Sequence, residues 1–461
     1  MKKIAVMLSA ALSAAVVFAQ ITFDAGADLR VRQEFYDNAP LLPGDGRPGH
    51  SGLQNAPGEK RGNYVNRMRF RPRVWGEVNV DERLRFYMRL ADEFRWNVQP
   101  NKRSSVFPDE LFLDNLLLEG KGFFDGFLDF TVGRQDIANL YGLSHIFQDG
   151  TPGDGSRSLF SDMIRFTLNF EEDSKLDLFG LYDQDQNHLR WGNERSRNRS
   201  LTGLGESDAE CDRDEWGFGA VWSSTLAEGV EYQIFAMHKN TAAYMRGDVK
   251  RPSTRRELVG GTITPYLNDE WFLKFEGSGQ IGENGEGETL YGWFSYVGIN
   301  WKSATESSIK PFASLGLRFM SGSEDTAETD GGHGAWDPMW SRAVCYSELF
   351  SYGPHYATCW WSNLYYARME AGLDLGKKHS LVFSAGPMFA AADDGLGGGD
   401  GNYKGCLSTC RYSFPLMLAD KDKGDWLEIF GHIHLELFNP GDYFESSKPA
   451  YFARWQVEFK F

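Results

Sequence analysis

The sequence predicts an all-β protein, an up-and-down antiparallel transmembrane β-barrel of about 18 strands (roughly 16–18). Three observations predict it. Apolar and polar residues alternate in one segment after another, short turns alternate with long polar loops, and the chain ends in the strand "YFARWQVEFKF". Successive side chains of a strand point to opposite faces, so this alternation gives one apolar and one polar face.

The last strand shows what the apolar face contacts. Aromatic or aliphatic residues occupy its odd positions, and most even positions are polar, as in Arg454, Gln456 and Glu458. A closed barrel pairs every backbone group, so such a strand is stable in lipid. We expect it to close against the first strand, to contact outer-membrane lipid, and to be recognised by the outer-membrane assembly machinery through Phe461.

The N-terminus predicts export. Lys2 and Lys3 precede an apolar run that ends in a small-residue cleavage site, so residues 1–19 are predicted to be a cleaved signal peptide. No later stretch of ~18 apolar residues predicts a transmembrane helix. Residues 20–461 are therefore predicted to form one domain in the outer membrane of a Gram-negative cell. With no evident apolar interface, we expect a monomer.

The connections predict the orientation of the barrel. Tight turns are predicted at 79–84, 171–175, 226–229, 267–270 and 374–379, and long loops at 37–64, 95–110, 141–160, 187–213, 321–362 and 391–408. Short turns at one end and long loops at the other are typical of outer-membrane barrels. We expect the termini and turns in the periplasm and the long loops outside, with at least one loop folded into the lumen. A secreted β-sandwich is the alternative fold.

Arginines dominate the polar faces of the first three predicted strands: Arg30, Arg32, Arg67, Arg69, Arg71, Arg73, Arg85 and Arg89. A guanidinium on the lipid face at mid-membrane costs ~2–4 kcal/mol, so we expect these side chains to line the lumen. Guanidinium groups bind carboxylates through two parallel hydrogen bonds, which favours an anionic solute. Alternatively, they pair with Glu34, Glu77, Asp92 or Glu93 and brace the wall.

Several motifs resemble those of the alginate export family: "FTVGRQDI" (130–137), "LFSDMIRFTLNF" (159–170), "KLDLFGLYDQDQN" (175–187) and the arginine-rich segment 66–94. The resemblance implies an outer-membrane porin of about 18 strands whose arginine-lined pore conducts a polyuronate. It adds Arg134 and Arg165, from the first and second quoted segments, to the pore lining. Met163 stands where the family usually has glycine, and the loop 321–362 is unfamiliar.

The predicted function is a channel for an anionic saccharide, with a general non-selective porin or a non-transporting barrel in adhesion or anchoring as alternatives. The net charge of −16 argues against nucleic acid as a partner. No G-x-S-x-G motif or other catalytic pattern is present, so we expect no enzyme activity and no cofactor.

Histidines and cysteines give weaker signals. His432, His434 and Glu436 share one polar strand face and could chelate a metal, but an uncharged luminal lining is the favoured interpretation. Five cysteines in an exported chain suggest disulfides, and the predicted pairs are Cys406–Cys410 and Cys345–Cys359.

Overall fold

The computed structural model describes residues 20–38, 64–99, 107–108, 110–148, 160–171, 173–183, 190–192, 214–227, 229–246, 249–324, 334–341, 344–352, 362–393, 399–419, 426–444 and 447–461. The predicted signal peptide lies outside these residues, as do most of the predicted loops 37–64 and 187–213. No helix in the described parts of the chain is long and apolar enough to cross a membrane.

Strands make up nearly all of the regular structure. They are β1 Ile21–Asp37, β2 Val65–Val80, β3 Leu84–Ala91, β4 Phe94–Gln99, β5 Glu110–Phe123, β6 Leu128–Asp136, β7 Phe160–Glu171, β8 Ser174–Asp183, β9 Arg190–Gly192, β10 Glu215–Ala227, β11 Val230–Thr241, β12 Tyr244–Arg246, β13 Val249–Arg251, β14 Thr254–Pro265, β15 Trp271–Asn284, β16 Thr289–Lys302, β17 Lys310–Met320, β18 Leu364–Gly376, β19 His379–Phe389, β20 Tyr403–Met417, β21 Glu428–Pro440 and β22 Ala450–Lys460. Short 3-10 turns occupy Leu140–Gly142 and Leu349–Tyr352.

The sheet closes on itself as an antiparallel barrel. β1 pairs with β2 on one side and with the last strand, β22, on the other, so that Val31 lies opposite Phe70 and Val457. Twenty strands belong to this sheet. They fill eighteen wall positions, because β3 and β4 share one position beside β2 and β9 only pairs with the end of β5. The predicted fold class is confirmed.

A proline explains why one wall strand appears in two pieces. The register of β2 is the same against both, with Arg73 opposite Ala91 and Phe70 opposite Phe94. Between these pairs, the backbone N–H of Asp92 donates to the carbonyl oxygen of Pro72 at 3.1 Å. Because proline has no backbone N–H, Pro72 cannot donate a hydrogen bond to the neighbouring strand. The hydrogen-bond ladder beside β2 is therefore interrupted at this point.

The two faces of the wall follow the predicted alternation. Large apolar side chains such as Val74, Phe86 and Met88 are exposed on the outer surface, whereas the polar residues between them point inward. In β22, Trp455 is exposed on the outside and its neighbours Arg454 and Gln456 are buried on the inside. The apolar exterior is therefore the surface expected to contact lipid.

Two loops fold into the lumen and carry much of the buried apolar cluster. The first inward loop, residues 137–148, follows β6, and the second, residues 334–341 and 344–352, follows β17. Their backbones are joined where the N–H of Trp340 donates to the carbonyl oxygen of Ile146 at 3.1 Å. The rings of Phe147 and Trp340 stack with centroids 5.3 Å apart. The loops thus narrow the lumen together.

Some local predictions are wrong. Parts of three predicted loops belong to strands: residues 95–99 to β4, 190–192 to β9 and 403–408 to β20. Cys406 and Cys410 are both free thiols on one face of that strand. A strand rises about 3.3 Å per residue, so their Cα atoms are about 13 Å apart, beyond the ~7 Å limit for a disulfide. Cys345 is also a free thiol, and Cys211 and Cys359 lie outside the described residues.

Candidate functional site

Five arginines form a continuous surface on the inner faces of β1 and β2, which we call the arginine wall: Arg30, Arg32, Arg67, Arg69 and Arg71. The register places Arg30 opposite Arg71 and Arg32 opposite Arg69. None is more than 7% exposed. The structure therefore brings together the arginines that the alternation predicts on one face, and it buries them.

Carboxylates are built into the arginine wall. Glu34, which is fully buried, lies 2.9 Å from Arg32, 2.8 Å from Arg67 and 3.6 Å from Arg69. Glu93, on the segment between β3 and β4, contacts Arg30 at 3.5 Å and also pairs with Arg69. These are the contacts expected if the arginines brace the wall.

Three further predicted arginines lie nearer the tight turns, and they are less buried. Their ion pairs are Arg73 with Asp28 (2.9 Å), Arg85 with Glu77 (2.7 Å) and Glu119 (2.8 Å), and Arg89 with Asp114 (2.8 Å) and Asp136 (3.1 Å). The side chain of Arg85 is 35% exposed. This group is the part of the predicted cluster most open to the lumen.

Asp114, the ion-pair partner of Arg89, lies at a point of β5 where side chains do not alternate strictly between the two faces. The register of β5 against β3 shifts between Arg89 and Leu90, and Asp114 and Asn115 are both buried at the shift. Such a bulge places two consecutive residues of one strand opposite one residue of the other. Asp114 therefore reaches Arg89, although strict alternation assigns Asp114 and Asn115 to opposite faces.

Arg134 and Arg165 lie apart from the arginine wall. Arg134 follows Gly133, whose φ of +122° interrupts the regular strand, and it bonds Asp162 at 2.8 Å and the carbonyl oxygen of Leu113 at 3.1 Å. Arg165, on β7, lies beside Tyr141 of the first inward loop. Burial raises the pKa of the Tyr141 hydroxyl, and Arg165 partly offsets this effect.

A second basic region lies where the inward loops meet the opposite wall. There, a cavity of about 170 Å³, which we call the inner cavity, is lined by ten residues: Ser144, Lys274, Glu276, Tyr296, Ser314, Gly316, Arg318, Tyr346, Tyr366 and Arg368. Ser144 belongs to the first inward loop and Tyr346 to the second, and the others lie on β15–β18. None of these residues was predicted from the sequence as a site residue.

The inner cavity has more cationic than anionic groups. Lys274 pairs with Glu276 at 2.5 Å, and Arg368 pairs with Glu370, just outside the lining, at 2.5 Å. Arg318 makes no ion pair within 4 Å among the described residues; instead it donates to Sγ of Cys345 at 3.0 Å. Its guanidinium also lies within 6 Å of three aromatic rings, those of Phe294, Tyr296 and Tyr346.

A buried hydroxyl of the inner cavity has no hydrogen-bond partner among the described residues. The side chain of Tyr366 is only 3% exposed, and its hydroxyl makes no hydrogen bond within the described part of the chain. A buried hydroxyl without a partner costs about 1–3 kcal/mol, so it is a group that a ligand or water is expected to satisfy.

The predicted His–Glu motif anchors the second inward loop. Glu436 accepts hydrogen bonds from Oγ of Ser347 at 2.6 Å and from the backbone N–H groups of Glu348 at 2.8 Å and Leu349 at 3.0 Å. His434 lies 2.9 Å away. In the described residues no group of three His, Cys, Asp or Glu is arranged to hold a metal ion. Glu436 therefore caps the 3-10 turn that begins at Leu349.

A histidine fixes the first inward loop. His145 stacks on Phe294 with ring centroids 3.8 Å apart and 5° between the planes, and its Nδ1 lies 3.6 Å from Glu276. Burial lowers the pKa of His145 to about 4, despite the nearby carboxylate. The loop is therefore docked with a neutral imidazole at neutral pH.

Comparisons with known proteins agree with the barrel. No family model and no curated protein matches the chain. Solved structures of outer-membrane proteins do match. OprD from Pseudomonas aeruginosa shares 8% identity over 95% of this chain and 94% of its own, with a TM-score of 0.51. OccK7 (OpdD) from the same organism shares 10% identity over 95% and 98%, with a TM-score of 0.53.

The fold is the barrel fold of these outer-membrane proteins. A third structure, Pseudomonas aeruginosa OccK2 (OpdF) in complex with glucuronate, shares 11% identity over 95% of this chain and 96% of its own, with a TM-score of 0.52. At such identities the likeness concerns the fold. The resemblance to the alginate export family is supported only at this coarser level, because the three structures are OprD and Occ proteins.

Proposed function

We propose that the chain is an outer-membrane diffusion channel that favours small anionic solutes. The observation that carries the proposal is the excess of cationic groups around the inner cavity, at the level where the two loops narrow the lumen. A charged constriction selects permeating ions by sign. The glucuronate held by OccK2 gives an example of a small acidic sugar bound to a barrel of this fold.

The predicted arginines have a different part in this proposal. The arginine wall supplies positive potential, but its guanidinium groups already pair with Glu34 and Glu93. They are therefore not available to bind a solute individually. Arg85 and Arg89 are more accessible and give weaker, exchangeable contacts along the path to the periplasm. Contacts that are each weak allow the solute to leave as well as to enter.

The solute in this proposal is a single acidic sugar or a similar small carboxylate. The two inward loops pack on each other through Phe147 and Trp340, and the inner cavity between them and the wall is only about 170 Å³. A polyuronate chain, as in alginate export, is longer than this cavity, which favours a single sugar as the solute. For the orientation, we propose that the tight turns face the periplasm and the long loops face outward, as in other barrels of this kind.

The test is a reversal-potential measurement in a planar bilayer under a KCl gradient, comparing the wild type with Arg318→Gln. We expect chloride preference in the wild type and a several-fold lower chloride-to-potassium permeability ratio in the variant. Arg255→Gln is the matched control, because Arg255 lies on the outer face of β14 with 56% of its side chain exposed. It should leave the ratio unchanged.

Other outcomes favour the alternative functions. Potassium preference in the wild type would point to a general porin whose luminal arginines are neutralised by carboxylates. A barrel that passes no steady current would point to adhesion or anchoring. Block of the current by glucuronate, with no block by neutral glucose, would support the proposed solute class.

A further inference from the structure

The second inward loop carries a thiol at the edge of the inner cavity. Cys345 is a free thiol and is partly exposed, although its described neighbours Val344 and Tyr346 are buried. Its Sγ accepts a hydrogen bond from Nη1 of Arg318 at 3.0 Å and lies 3.6 Å from Oγ of Ser144. The thiol therefore joins both inward loops to the basic wall of the cavity.

The surroundings of Cys345 lower the pKa of its thiol. Burial alone raises the pKa of the Cys345 thiol, but the guanidinium of Arg318 and, to smaller extents, Ser144 and Arg368 lower it, and the net pKa is below the usual value. The thiolate is the nucleophilic form of cysteine, and a neighbouring arginine is a recognised means of producing it.

The same place is built to receive an anion. Arg318, Tyr346 and Tyr366 line the inner cavity, and the buried hydroxyl of Tyr366 has no partner among the described residues. An entering anion thus finds a guanidinium and a hydroxyl donor close to the thiol. Arg318 serves both purposes, since its guanidinium lowers the pKa of the Cys345 thiol and attracts the anion.

We propose that Cys345 is a modification site at which small anionic disulfides react by thiol–disulfide exchange and narrow the lumen. The Cys345 thiolate attacks one sulfur of the reagent, a new S–S bond forms to that sulfur, and the original S–S bond breaks. The other half of the reagent leaves as a thiolate with the electron pair, so no further oxidant is needed. The added group occupies space beside the inner cavity and places its own negative charge near Arg318.

The chain offers matched control thiols. Cys406 and Cys410 lie on the outer face of β20, where the register pairs Cys410 with the exposed residues Phe383 and Leu435. Neither thiol makes a hydrogen bond to a cationic side chain among the described residues. Their labelling rates therefore give the reactivity of thiols of this protein that lie outside the lumen.

The first experiment measures labelling of the folded protein in detergent by intact mass. The variant used keeps Cys345 and has the other four cysteines replaced by serine. The reagents are the anionic 2-sulfonatoethyl and the cationic 2-(trimethylammonio)ethyl methanethiosulfonates. We expect the anionic reagent to react at least tenfold faster, and Arg318→Gln to bring the two rates within about twofold. Equal rates in the parent variant, or no labelling, would overturn the proposal.

The second experiment follows the current through single channels. The anionic reagent should reduce the current in one step that dithiothreitol reverses, whereas Cys345→Ser, and a variant that keeps Cys410 alone, should not respond. Complete labelling without a change in current would refute the narrowing. Only this second readout depends on the proposed function, because the labelling rates decide the chemistry even for a barrel that passes no current.

Discussion

The arginine wall and the inner cavity are both rich in guanidinium groups, yet their surroundings differ. In the arginine wall, Glu34 alone contacts three arginines, and all of these groups are almost fully buried. At the inner cavity, Arg318 faces a thiol, aromatic rings and open space. The number of arginines on a strand face therefore does not reveal their role, because the role follows from their partners.

Physical chemistry explains the contrast. A buried charge is stable only with a partner of opposite sign, and removal of one partner leaves the other uncompensated. The arginine wall satisfies this condition with carboxylates of its own and so contributes to the integrity of the barrel. At the inner cavity Arg318 has no carboxylate partner within 4 Å among the described residues, and this difference underlies the proposed attraction of an anionic solute.

The largest expected effect is the loss of barrel stability when Glu34, at the centre of the arginine wall, is neutralised. Glu34→Gln leaves Arg32, Arg67 and Arg69 without their shared carboxylate and should destabilise the barrel by about 3–5 kcal/mol. Urea unfolding followed by tryptophan fluorescence measures this. The control Glu77→Gln, which affects the partly exposed pair with Arg85, should cost less than about 1 kcal/mol. Equal losses in the two variants would remove the distinction between buried and open arginines.

An effect of intermediate size is expected when acid protonates His145, which holds the first inward loop near the inner cavity. The pKa of His145 is about 4 in the folded protein and about 6.5 in an unfolded chain, so the unfolded form binds more protons between these values. The free energy that favours the docked first inward loop is therefore greatest above pH ~6.5. It decreases by up to about 3 kcal/mol as the pH falls toward 4.

Single-channel recording between pH 7 and pH 4 checks this expectation. The current should become larger and noisier at the acidic end as the loop leaves Phe294. His145→Phe keeps an aromatic ring against Phe294 but cannot be protonated, so it should lose this pH dependence. The same acid response in that variant would assign the effect to other groups, such as the carboxylates of the arginine wall.

The smallest effect is expected from salt. Raising KCl from 0.1 to 1 M shortens the Debye length from about 10 to about 3 Å, which screens accessible charges much more than buried ones. Chloride selectivity should fall about two- to threefold, while the free energy of unfolding of the wild type changes by less than about 1 kcal/mol. A large salt effect on unfolding with constant selectivity would reverse the roles assigned to the two regions.

The sequence predicts the wall better than the lumen, for a physical reason. Alternation is local, so it predicts most of the strands, their closure through β22 and the shared, buried face of the arginine wall. Arg318 and Arg368 are single arginines in otherwise unremarkable strands, and they become a site only through contact with loops distant in sequence. Bulges such as the one at Asp114, and inward loops held by Glu436, likewise depend on tertiary contacts.

The bond between Trp340 and Ile146 has a consequence for assembly. It joins segments almost two hundred positions apart, and the nearby contact of Ser144 with Cys345 spans 201. Contacts of such long range are entropically costly until the intervening chain is ordered. We therefore expect the wall from β6 to β17 to form before the two loops meet. On this expectation, a barrel with an open bore precedes the constricted one during assembly, and the constriction forms late.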